Sequence, residues 1–150
     1  ACRILAGHGA TVVGMNCDRG PVTMLPLMAR IREAVDCAVA AQPVPYRTDE
    51  SSPTMQSLRT AGVERVFPLA LELFSGTRFD MADFARAAAG IGVNYIGICC
   101  GGGPHHVRAM AEALGRTVPA GKYSPAMELH PMFREAVVPK DQKFIELWNA

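Results

Sequence analysis

Three short apolar runs, each closed by a turn, constrain this chain more than any other feature. The first is Thr11 to Asn16, the second Cys37 to Ala41 and the third Val93 to Ile98. Each has strand length. Between and after them the spacing changes to that of helices. Val22 to Val35 places Met24, Leu27, Met28, Ile31 and Val35 on one face, with Arg30, Arg32 and Glu33 left for water. Asp80 reads as the cap of a helix from Met81 to Ala89, which Gly90 and Gly92 close. A last helix opens at Pro104 and runs to Leu114, and residues 1 to 7 read as the final turns of another, with Gly7 and Gly9 as terminators.

Strand, helix, strand, helix, strand, helix is the pattern of parallel strands joined by crossover helices, so the predicted class is α/β. Three strands are too few to bury both faces of a parallel sheet, whereas a (β/α)8 TIM barrel takes about 250 residues. The expectation is therefore the C-terminal part of a (β/α)8 barrel over residues 1–118, followed by a C-terminal helical extension over 119–150. The chain opens without a methionine and enters a strand almost at once, as a chain cut inside a domain would. Pro45 to Pro68 is polar, rich in proline and serine, and long for a connection; loops of that length are commonly functional.

The 15 lysines and arginines nearly balance 14 aspartates and glutamates, which argues against nucleic acid or an anionic membrane as partner. No apolar run approaches the roughly 20 residues of a spanning helix, and no signal pattern is present, so the expected location is cytoplasmic. Five cysteines, an odd number, favour reduced thiols or metal ligands over a disulfide framework.

Their positions are informative. Cys17 follows the first strand, and the pair Cys99-Cys100 follows the third. In a parallel barrel both lie at the strand ends where active sites assemble, so residues far apart in sequence can converge there. Three thiolates suit zinc and leave a fourth position open. Cys2 and Cys37 fit the role of small buried hydrophobes instead. The turn Gly101-Gly102-Gly103-Pro104 has a competing reading as a phosphate cradle at a helix start, against which stand the donor lost at Pro104 and two adjacent thiolates. His105 and His106 are read as exposed or capping residues and not as a fourth ligand; His8 and His130 carry no signal.

Val13-Gly14-Met15-Asn16-Cys17 and Tyr95-Ile96-Gly97-Ile98-Cys99-Cys100-Gly101 resemble the two zinc motifs of the homocysteine S-methyltransferase family. Ala41-Gln42-Pro43-Val44-Pro45-Tyr46-Arg47-Thr48 is similar to its betaine-homocysteine branch, as are Phe67 to Glu72 and Gly103 to Glu112. The resemblance implies a Zn²⁺ cofactor on Cys17, Cys99 and Cys100. It implies methyl transfer from an onium donor, betaine or similar, to the thiolate of homocysteine, giving methionine. Within that expectation Asn16 supports the turn aiming Cys17. Tyr46 supplies an aromatic face for a quaternary ammonium, unless it is simply a surface tyrosine of the long loop. Glu72, at the end of a possible strand, reaches the active face as a polar contact.

The tail, Met127 to Pro131 and Lys143 to Trp148, resembles the branch's C-terminal extension, which mediates subunit contacts; the alternative is that Phe144, Ile145, Leu147 and Trp148 fold back on the same chain. Asp18-Arg19-Gly20 and the glycines after Cys100 depart from the pattern expected for the vertebrate-like branch and leave the donor open. The family's amino-terminal half, with much of the homocysteine and donor pockets, has no counterpart here. Two other readings stand beside this one: a phosphate-binding part of an unrelated barrel, and a non-catalytic, zinc-stabilised fragment.

Overall fold

The structure, a computed structural model, describes residues 1–126 and 129. Residues Ala1–Val118 form one compact unit and those from Pro119 belong to a second, whose described part is a 3₁₀ turn at Pro119–Tyr123. The apolar tail residues Phe144, Ile145, Leu147 and Trp148 lie outside the described residues.

In the first unit the order is α1 (Cys2–Gly7), β1 (Val12–Asn16), α2 (Pro21–Ala34), β2 (Ala38–Gln42), α3 (Arg78–Gly90), β3 (Tyr95–Ile96) and α4 (Pro104–Ala113), with 3₁₀ turns at Met55–Ser57 and Leu71–Phe74. The sheet is parallel throughout and its spatial order is β1-β2-β3. Val12 pairs with Ala38, and the register runs on to Asn16 opposite Gln42. The expected α/β class and parallel strands are present.

Side chains along a strand alternate between faces, and here only one face is covered. Val13, Val39 and Ala41 are buried with Met24 and Met28 of α2 and with Met81, Phe84 and Ala88 of α3. The other face carries Val12 and Tyr95, both more than half exposed. α3 packs between α2 and α4.

Several boundaries differ from expectation for local reasons. α3 starts at Arg78, not Met81: Thr77 is the N-cap and Asp80 stands at the third position. The Thr77 hydroxyl accepts from the Asp80 amide while Asp80 Oδ2 accepts from the Thr77 amide at 2.6 Å, a reciprocal box that satisfies two otherwise unpaired donors. Arg32 does not face water. Its guanidinium donates to the carbonyls of Val35 and Cys37 and so fastens the turn between α2 and β2. The third strand is formally two residues long, yet its hydrogen bonds to the central strand continue from Asn94 to Cys99.

Candidate metal centre

Cys17 and Cys99 meet because both are tied to the same end of the central strand. The Cys17 amide donates to the carbonyl of Gln42 at 2.9 Å, and the Cys99 amide donates to the carbonyl of Pro43 at 2.8 Å. Strands two apart in a sheet are roughly 10 Å from each other, so the thiols need turns to close the remaining distance. At Cys17 and Asp18 the backbone enters the left-handed region, with φ of 68° and 64°, a conformation that non-glycine residues adopt at a cost of order 1 kcal/mol or more.

The long loop holds that turn in place. The Met55 amide donates to the Asp18 carbonyl at 2.7 Å, and Gln56 Nε2 donates to Asp18 Oδ1 at 2.6 Å. The same loop is anchored to the start of α2 through buried Thr48, whose Oγ1 accepts from the Gly20 amide. Thr23 donates onward to the Pro53 carbonyl, so the hydroxyl of Thr48 donates to Thr23, 2.6 Å away. On the other side, Gly101 adopts φ of 87° and lies against Tyr46: a Cβ built there would sit 2.3 Å from the Tyr46 hydroxyl. Only glycine meets both conditions.

The result is a triangle of thiols. Cys17 Sγ is 3.6 Å from Cys100 Sγ, Cys99 Sγ is 3.7 Å from Cys100 Sγ, and all three sulfurs lie within 4.8 Å of one another. A tetrahedral zinc with bonds of about 2.3 Å separates its sulfur ligands by about 3.8 Å. The triangle therefore fits one face of such a site, with the fourth corner free. Cys17 and Cys99 are half-buried and Cys100 is exposed, so that corner is reachable from outside. Burial, together with the hydrogen bonds that Cys17 donates to the other two sulfurs, pushes the Cys17 thiol up to about 11 against the pull of the Asp18 backbone. Cys99 goes the other way. Burial raises it, but hydrogen bonds from Cys17, from Cys100 and from Asn16 outweigh this and hold it below the usual thiol range. Thiols this close share their protons and titrate as a group.

The homocysteine S-methyltransferase family profile matches residues 1–114. This chain belongs to that family. It is 38% identical over 116 residues to betaine–homocysteine S-methyltransferase 1 of Xenopus laevis, covering 73% of this chain and 27% of the relative. It is 39% identical over 115 residues to the Danio rerio protein of the same name, covering 73% and 28%. S-methylmethionine–homocysteine S-methyltransferase of Pongo abelii is 34% identical over 139 residues, covering 89% of this chain and 36% of the relative. The chain thus spans about a third of the length of the curated relatives it matches.

Of the three residues expected near substrate in this member of the homocysteine S-methyltransferase family, Asn16 and Tyr46 lie beside the thiols and Glu72 lies near Tyr46. Asn16 Nδ2 donates to Cys99 Sγ at 3.5 Å, so its partner is Cys99 and not the turn at Cys17. Tyr46 is partly buried, and its phenol is held above the usual range by burial and by the negative charges of Cys100 and Glu72. Glu72 sits in the exposed 3₁₀ turn Leu71–Phe74 instead of at a strand end, because the residues around it close the loop: the Arg47 amide donates to Phe74 and the Gly76 amide to Pro45. Cys2 and Cys37 pack half-buried against the main core, as read.

Two features escaped the sequence reading: the left-handed turn at Cys17-Asp18 and the clasp from Met55 and Gln56. The Asp-Arg-Gly that follows Cys17 was the available signal, since such residues mark tight turns. A cleft of about 490 Å³ between α2 and α3, lined by Leu25, Met81 and Phe84, touches Tyr46 but none of the thiols.

Proposed function

We propose that this chain forms the thiolate-bearing part of a zinc-dependent homocysteine S-methyltransferase, in which Cys17, Cys99 and Cys100 hold Zn²⁺. The observation that carries the reading is the sulfur triangle, whose measured edges of 3.6 and 3.7 Å fit a tetrahedral tris-thiolate face. A zinc ion held by these three thiolates would supply the positive charge that favours the deprotonated form of an incoming thiol at neutral pH. Three thiolates leave the whole site with a net charge of about −1, which favours a sulfur that stays nucleophilic.

The neighbouring residues have separable tasks. Asn16 orients Cys99 by its hydrogen bond. Tyr46 presents a ring beside Cys100, with the Glu72 carboxylate near that ring, a combination suited to an onium methyl donor. Relatives are named for betaine, a quaternary ammonium, and for S-methylmethionine, a sulfonium; both belong to that class. In the reaction the homocysteine sulfur forms a bond to the methyl carbon as the carbon–onium bond breaks. The bonding pair leaves with the donor, now neutral at that atom, and methionine is formed. Holding the two substrates in line is the main contribution left to the protein.

The sheet with one uncovered face supports reading residues 1–118 as the C-terminal part of a (β/α)8 barrel, since parallel sheets are ordinarily buried on both sides. In that reading residues 119–150 form an extension for subunit contacts. Among the described residues no helix is long and apolar enough to cross a membrane, and the five free cysteines suit a reducing compartment such as the cytoplasm. The phosphate reading loses two of its donors, because the Gly102 amide is taken by the Cys99 carbonyl and the Gly103 amide by His106.

Elemental analysis tests the proposal. About one zinc per chain is expected, lost in each of Cys17→Ala, Cys99→Ala and Cys100→Ala. No zinc in a folded chain would refute it. Methionine formation from homocysteine, assayed with betaine and with S-methylmethionine in turn, then distinguishes the donor.

A further inference from the structure

Three consecutive glycines, Gly101 to Gly103, follow the Cys99-Cys100 pair, and a glycine run has more backbone freedom to lose than any other sequence. Something must fasten it. His106 is the residue placed to do so. It is 6% exposed, on the first turn of α4, and its Nδ1 accepts the Gly103 amide at 3.1 Å. The residue closes on the turn a second time through its own amide, which donates to the Gly103 carbonyl at 3.0 Å.

An Nδ1 that accepts must carry a lone pair, so the ring proton is on Nε2. The backbone carbonyl of Gly76 lies close enough to the ring to favour its protonated form. Burial first, and His105 beside it second, hold the imidazole below its usual range against the opposing pull of that carbonyl. Gly76 in turn donates to the Pro45 carbonyl and precedes the cap of α3. One imidazole thus closes the glycine turn beside the backbone that leads into α3.

We propose that His106, as the neutral Nε2–H tautomer, is a positioning residue that locks the Gly101–Gly103 turn and thereby sets where Cys99 and Cys100 stand relative to Cys17. The proposal rests on the thiols being a metal site. It touches neither metal nor substrate, and acts through the turn alone.

Cobalt(II) is the probe, because its ligand-field bands and its sulfur-to-metal charge transfer report thiolate number and geometry. His106→Phe keeps a buried ring without the acceptor. It should bind cobalt about tenfold more weakly, the lower end of what lost outer-shell support costs, with displaced bands and faster exchange of the Gly103 amide. His106→Asn, whose Oδ1 can take the Gly103 amide, should recover most of the affinity and the spectrum. Unchanged affinity and spectrum in His106→Phe would overturn the proposal, and so would equal loss in both variants. Nitrogen-15 imidazole spectra of the wild-type protein decide the tautomer even where a variant does not fold; a protonated Nδ1 would overturn it. A wild-type protein that gives no three-thiolate cobalt spectrum would sink the metal reading instead, with the tautomer and the Gly103 exchange still deciding whether His106 fastens the turn.

Discussion

The molecule contains two apolar clusters built on different principles. One is the layer between the sheet and α2 and α3, where Met24, Met28, Val39, Met81, Phe84 and Ala85 are fully or almost fully removed from water. Regular elements supply it, each through a repeating face. The other is made by the long loop: Val44, Met55, Leu58 and Val66 are buried, and Cys17, Tyr46 and Cys99 pack against them. No helix or strand face repeats there. The first cluster makes the fold and the second places the thiols, so damage to the two should have different signatures.

The largest effect is expected from Phe84→Ala, which removes a buried ring from the regular layer and should cost about 3–5 kcal/mol. Urea unfolding followed by circular dichroism would show it, and metal affinity should fall only where the chain unfolds. Leu58→Ala empties the loop cluster instead and should cost about 2–4 kcal/mol at most. Because a small cluster can open locally, hydrogen exchange at the Met55 amide should quicken while amides of α2 and α3 keep their protection. Equal acceleration in both regions would show that the clusters are one cooperative unit.

Smaller changes sharpen the division. Gln56→Ala removes one hydrogen bond to the strained turn and should weaken zinc or cobalt binding by about fivefold, the equivalent of about 1 kcal/mol, with the unfolding midpoint little changed. Thr77→Ala removes the α3 cap and should do the reverse, lowering stability by about 1 kcal/mol without altering metal affinity.

The smallest effect concerns acid. The Asp80 carboxyl is held below its usual value: burial works against this, but hydrogen bonds from Thr77 and the charge of Arg47 prevail. A depressed folded value means stability that is present above the unfolded carboxylate range and is lost as pH falls through the folded value. The stability difference between the wild-type protein and Asp80→Asn should hold constant from neutral pH to the edge of the carboxylate range and shrink on further acidification. Asp80 is partly exposed, so the change is modest; a difference growing toward low pH would contradict it.

The same division explains what could be read from the sequence. Met24 and Met28, four residues apart, are both fully buried, because a helix face is a periodic property visible in a string of letters. The three cysteines were legible because strand ends of a parallel sheet share one side. Asp80 was misplaced as a cap because Thr77, three residues earlier, forms the more favourable box. Glu72 was given a strand end because nothing local reveals that residues 45–47 and 74–76 pair across the loop. Met55 and Gln56 act on Asp18 over a sequence distance that no short-range pattern encodes. His106 lay between the two cases: its spacing from Gly103 is that of a capping box, but histidine is not the residue such a box ordinarily uses.

Gln42 and Pro43 each receive an amide from a thiol-bearing residue, one from either side of the central strand. That arrangement makes the sheet self-checking. Side chains alternate with a period of two, so a slip of one residue in either pairing turns every following side chain to the opposite face. A slipped β1 would carry Cys17 away from the other sulfurs, and a slipped β3 would carry Cys99 and Cys100 away from Cys17. Only the correctly aligned sheet assembles the triangle.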